Sequence, residues 1–134
     1  MDKRKEEKIL LYNFSDEEYL NQISGIFKAL RIQVVILKPE DYCQKIGYLL
    51  KLPGFSVVER DEDKDFDFNH EVLVFYNIKN KRLDEVLKKL RNADIEIIYK
   101  AVVTPLNRFW SLERLCLSIQ KEHGYILEQK SKNE

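Results

Sequence analysis

Apolar and polar positions fall into four successive blocks along the chain, each pairing a short apolar run with a stretch of helical period. Ile9-Leu10-Leu11-Tyr12-Asn13-Phe14 is nearly continuous in apolar character, the pattern of a strand buried on both faces. Ser15-Asp16-Glu17-Glu18 follows as a capping box, with Ser15 accepting from the Glu18 amide and with Phe14 and Tyr19 at staple spacing. Leu20, Ile23, Ile26, Phe27 and Leu30 then recur every three or four residues and predict an amphipathic helix to Arg31.

The second block is Val34-Val35-Ile36-Leu37, followed by a helix that starts at Lys38-Pro39-Glu40-Asp41. Its inner face is Tyr42 or Cys43, then Ile46, Leu49 and Leu50, and Leu52-Pro53-Gly54-Phe55 ends it. The third strand is Val72 to Tyr76, with a turn at Asn77 to Asn80 and a helix that turns Leu83, Val86, Leu87 and Leu90 inward. In the fourth strand, Ile95 to Val103, Glu96 and Lys100 alternate with apolar residues, which places one face near an exposed edge. Ser111 caps the last helix, Trp110 and Leu115 staple it, Leu112, Leu115, Cys116 and Ile119 face inward, and Gly124 ends it.

Four β-α pairs joined by right-handed crossovers predict an α/β fold: a single three-layer domain with a mainly parallel four-stranded sheet in the order 2-1-3-4 and helices on both faces. A ferredoxin-like fold is the alternative, but it needs an extra hairpin that only Ser56-Val57-Val58 could supply. Residues 1–7 are expected to be a disordered N-terminal end, 8–127 the single domain and 128–134 a polar C-terminal tail. No internal repeat is visible in the residue identities.

Composition narrows the chemistry. Lys plus Arg equals Asp plus Glu at 23 each in 134 residues, so no global field draws in nucleic acid, and nucleic acid is an unlikely partner on this ground. No signal-peptide pattern or membrane-length apolar run is present, and Cys43 and Cys116 sit in apolar helical patterns, so a reduced, cytoplasmic setting is expected. The turn after strand one is Phe14-Ser15-Asp16-Glu17 and lacks the glycines a dinucleotide needs. Asp61, Asp63 and Asp65 imitate the start of a calcium loop, but Phe66 stands where it needs glycine and Val72 where it needs glutamate. The run from Glu59 to Asp67 is therefore read as a solvated acidic loop. His70 and His123 lie in no metal-ligand spacing with either cysteine, and neither a metal nor a cofactor is expected.

In an open parallel sheet, ligands gather at the carboxyl ends of the strands. The candidate ligand-binding residues there are Asn13, Asn77, Thr104, Pro105 and Asn107, all of them also common turn and cap residues. Arg108 and Trp110 are the candidate partner-binding residues, because an arginine beside a tryptophan can anchor a protein partner.

The segment Ala101-Val102-Val103-Thr104-Pro105-Leu106-Asn107, with Trp110 shortly after it and Glu122-His123 further along, resembles a bacterial family known as domain of unknown function family 3783. Members are small α/β proteins whose last strand ends in T-P-x-N ahead of a tryptophan and a final helix. The similarity covers about Ile95 to His123. The resemblance implies the motif Thr104, Pro105, Asn107 and Trp110 but no activity, and it leaves the front half unmatched. The expected function is a non-enzymatic small-ligand or protein-binding, regulatory module. Its partner would be a protein, a metabolite or a second copy in a homodimer. The alternative is an enzyme on a small polar substrate, with Asn77, Thr104 and Asn107 orienting it and His70 as acid or base.

Overall fold

A computed structural model describes residues 6–132, with side chains up to residue 123. Four strands, β1 (Lys8–Tyr12), β2 (Gln33–Ile36), β3 (Val72–Tyr76) and β4 (Tyr99–Val102), form one sheet in the expected order β2-β1-β3-β4. The helices are α1 (Glu17–Ala29), α2 (Ile46–Leu49), α3 (Asn80–Asn92) and α4 (Leu112–Lys132). Two compact units result: a sheet unit up to Pro39 with Asn69–Val103, and a turn-and-helix unit of Glu40–Phe68 with Thr104 onward.

The sheet is mixed, not mainly parallel. β1 pairs in parallel with β2, and β3 with β4, but β1 and β3 run antiparallel in the register Lys8↔Tyr76 to Tyr12↔Val72. The crossover rule governs only strand-helix-strand connections. The connection from β2 to β3 holds no helix longer than the four residues of α2, so nothing fixed the direction of β3.

This one reversal moves two other features. With the right-handed crossover that β-α-β units favour, reversing the second unit relative to the first brings its helix to the same face. α1 and α3 therefore share one face, where Ile23, Phe27, Val86 and Leu90 pack over Ile9, Leu11, Leu73 and Phe75. In an all-parallel sheet they would lie on opposite faces, as the sequence suggested. The carboxyl ends are also divided: β1 and β2 end at one edge of the sheet, β3 and β4 at the other.

The two halves agree bond by bond at a nearly constant shift of about 65 residues, a repeat that residue identity conceals. α1 and α3 end in the same left-handed cap, at Arg31 (φ 62°) and Asp94 (φ 56°). There Ile32 N donates to Phe27 O (3.0 Å) and Ile95 N to Leu90 O (2.9 Å). Past the next strand, Leu37 N donates to Leu11 O and Val103 N to Phe75 O, both at 2.9 Å. Asn13 (φ 68°) and Asn77 (φ 60°) end β1 and β3, and their side-chain amides donate to His70 O (3.1 Å) and Glu6 O (3.5 Å).

Local departures from the sequence reading have local causes. Asp16, not Ser15, caps α1, its Oδ1 accepting from Glu18 N and Tyr19 N. The expected helix from Lys38 breaks into a 3-10 turn, Pro39–Cys43, and the short α2, because Lys45 is extended (ψ 145°) to bridge Ser111. Ser56 to Val58 forms no strand. Ser111 Oγ accepts from Arg114 N at the start of α4, as expected of a cap, but α4 continues through Gly124 to Lys132. Glu7, expected in the frayed end, accepts three bonds from Arg82 and offers its carbonyl to Gln33 N. The remaining residues expected in that end, 1–5, lie outside the described ones, as do 133–134 of the tail.

Candidate functional site

The residues proposed as one polar rim do not assemble as one. Asn13 and Asn77 stand at opposite ends of the antiparallel β1-β3 pair, roughly 20 Å apart at about 3.4 Å per residue. His70 lies at Asn13's end and packs, tilted by 50°, against Tyr99 (ring centroids 4.8 Å). The enzyme constellation, which needs Asn77 and His70 together, is thus not formed in the sheet unit. Asn13 instead shares an open polar groove of about 310 Å³ with Ser15, Asn69, His70 and Glu71. Burial holds the Glu71 carboxyl above its ordinary value, and the nearby Asp16 carboxylate adds to the shift. Among the described residues no group of histidine, cysteine, aspartate and glutamate has the geometry to hold a metal ion.

The T-P-x-N segment lies in the other unit. The Asn107 Oδ1 accepts from Thr104 N (2.8 Å), and the Thr104 Oγ1 accepts from Asn107 N (3.0 Å). Each side chain satisfies the other's backbone, the reciprocal logic of a capping box. Pro105 adds a fixed φ inside the loop thus closed, and Asn107, 8% exposed, starts a 3-10 turn to Phe109. Asn107 therefore has a full structural role, which the sequence did not reveal because the acceptor for a buried amide cannot be read from spacing alone.

What the braced turn presents is apolar and cationic. Leu106 is 68% exposed and Phe109 60%, with Phe55 against the Phe109 ring (centroids 5.3 Å). Trp110 is half-buried and carries the Arg114 guanidinium 4.2 Å above its ring. Arg108 is half-buried, and its Nε has no hydrogen-bond partner among the described residues. Arg108 and Trp110 thus lie together, as their sequence adjacency required. Leu106 and Phe109, which are not among the candidate site residues, are the more exposed.

The first half builds an equivalent turn from residues 38–50, and the two meet inside this unit. Ile46 N donates to Trp110 O and Leu112 N to Gln44 O, both at 2.9 Å, around the Lys45↔Ser111 bridge. Gln44 N to Asp41 O matches Trp110 N to Asn107 O, each 3.0 Å. Tyr42 and Gln44 accordingly occupy the places of Arg108 and Trp110. Here the surface is covered: Tyr42 (4% exposed) donates to Lys64 O at 2.7 Å and packs on Phe66, while Gln44 exchanges two bonds of 2.8 Å with the Val58 backbone. The Arg60 guanidinium lies near the same Tyr42 hydroxyl, which raises the arginine's pKa. The acidic run is an exposed loop, as expected, and it also belongs to a strap that lies over the first turn through the Val58 backbone, Lys64 O and the Phe66 ring. A side chain at Gly47 would collide with the Phe55 ring, so that glycine lets the strap approach.

The cysteines differ. Cys116 is fully buried, and burial, with the Glu113 carboxylate adding, pushes its thiol up to about 12. Cys43 is only half-buried, its Sγ 3.6 Å from Glu40 O, and so is not the core residue the pattern suggested. Among the described residues no helix is long and apolar enough to cross a membrane.

No curated protein and no solved structure matches the chain. Residues 71–126, which hold the second β-α-β half, its braced turn and the first part of α4, match the family described as Domain of unknown function (DUF3783).

Proposed function

We propose that the chain is a non-enzymatic protein-binding module that docks its partner on the second turn. The observation that carries this reading is the pairing of Thr104 with Asn107, which spends their polar atoms on bracing a turn whose large side chains, Leu106 and Phe109, face solvent. A rigid turn loses little entropy on binding, and exposed apolar side chains beside an arginine and a tryptophan match the make-up of interface anchors. In this reading Thr104, Pro105 and Asn107 are scaffold, and Leu106, Arg108, Phe109 and Trp110 make contact. The two free thiols support a reducing, cytoplasmic setting.

The test replaces Phe109 by a photo-crosslinking phenylalanine analogue in the full-length protein inside its host cells, with Ile36 as a second exposed control position. A discrete crosslinked species is expected from position 109, absent from position 36 and lost when Leu106→Asp is added. Equal crosslinking at both positions, or none at 109 with the protein folded, refutes the docking surface.

A further inference from the structure

The two halves differ in length between the helix cap and the next strand, and a cavity lies there. The left-handed caps stand 63 residues apart, Arg31 to Asp94, but the matching bonds past the next strand stand 66 apart, Leu37 to Val103, so the second half carries three more residues between them. In the first half β2 begins at Gln33, directly after Ile32; in the second, Glu96-Ile97-Ile98 intervene between Ile95 and the start of β4 at Tyr99. We propose that these extra residues build a binding site for a free α-amino acid with a large apolar side chain. The site belongs to the sheet unit and is independent of the docking surface on the second turn.

The cavity holds about 480 Å³, the size of a small-molecule site. Its floor is apolar: Leu90, Ile95 and Ile97 are buried and Leu87 is half-buried. Ile97 comes from the extra residues, and Lys100 Nζ donates to its carbonyl, which ties that loop to β4. A smaller cavity of about 140 Å³ shares Leu87 and Lys100 and is otherwise lined by Phe75, Leu83, Ala101 and Val102, so the apolar room exceeds what a methyl group fills. A ligand gains here in proportion to the apolar area it removes from water, and a wholly polar metabolite gains little.

The mouth carries both signs of charge in equal number. Arg91 and Lys100 are its cations, Asp94 and Glu96 its anions, and all four are exposed. Among the described residues the side chains of Arg91, Asp94 and Glu96 make no ion pair or hydrogen bond. A ligand with one charge meets repulsion from one of the two pairs, which offsets the attraction of the other. A zwitterion gives its carboxylate to the cations and its ammonium to the anions, so both pairs are used. An α-amino acid holds those two charges and a side chain on one carbon, and a large apolar side chain matches a charged mouth above an apolar floor.

Isothermal titration of the full-length protein tests L-leucine, L-phenylalanine and L-tryptophan against L-alanine. The tightest binder is then compared with its own N-acetyl derivative, which lacks the ammonium, and its amide, which lacks the carboxylate. Saturable binding of one molecule per chain is expected with at least one of the three, weakened by about tenfold or more on shortening to alanine or on removing either charge. Arg91→Glu and Glu96→Lys, both at exposed positions, should each weaken it by a similar factor while urea unfolding stays unchanged. No saturable binding of any of the three up to about 10 mM by folded protein overturns the site. Equal binding of the N-acetyl derivative or of the amide overturns the zwitterion class, and binding unchanged by either substitution overturns the assignment to this cavity.

Discussion

The two turns of the turn-and-helix unit share a backbone and differ in what lies on them. Over the first, the chain's own strap closes: Tyr42 and Gln44 are nearly inaccessible, and each bonds strap backbone. At the second, Leu106 and Phe109 remain exposed, while the Arg108 Nε is buried without a hydrogen-bond partner among the described residues. In the second turn Thr104 and Asn107 bond each other, and Lys38 and Asp41 stand at the equivalent positions of the first. The first turn is bonded by its cover, and the second leaves Leu106 and Phe109 exposed. A surface that receives a partner gains from its own rigidity.

The largest effect should come from cutting the cover away. Gln44, 9% exposed, pairs both the N–H and the C=O of Val58, so Gln44→Ala leaves two polar groups short of partners at once. A loss of about 2–4 kcal/mol is expected in urea unfolding of the full-length protein. A loss below about 0.5 kcal/mol would mean the strap is not a structural cover. Next is the brace. Asn107→Ala removes the acceptor for Thr104 N and should cost about 1–2 kcal/mol, the range of a lost cap. Asn107→Asp, which keeps the acceptor, should recover most of it. Failure of that recovery would assign the loss to packing and not to the reciprocal bond.

Much of this was legible from pattern, and the failures cluster around one fact. All four strands, α1, α3 and the capped start of α4 follow from period and capping chemistry within single segments, and the order 2-1-3-4 from the crossover rule applied between them. The direction of β3 did not, because antiparallel and parallel pairing bury Val72 to Phe75 equally well, and the segment before it carries no crossover. That single undetermined sign placed α3 on the wrong face and merged two sheet edges into one supposed rim. The internal repeat stayed hidden for a related reason. Its conserved content is backbone hydrogen bonding and left-handed caps at Arg31 and Asp94, which many residue pairs satisfy, with few identities such as Asn13 with Asn77 and Pro39 with Pro105. At the site, the motif Thr104, Pro105, Asn107 and Trp110 was readable, but its use was not. Whether Asn107 reaches outward to a ligand or inward to Thr104 depends on a rotamer, and spacing leaves both open.

The contrast between a covered and an open turn is tested most directly by making the same substitution at equivalent places. Urea unfolding of Tyr42→Ser and Arg108→Ser, each in the full-length protein, compares them under one fold. Tyr42 loses a buried ring against Phe66 and a bond to Lys64 O, and a loss of about 3 kcal/mol is expected. Arg108 gives up no ion pair among the described residues, and a change within about 0.5 kcal/mol is expected. Equal losses at the two positions would contradict the account.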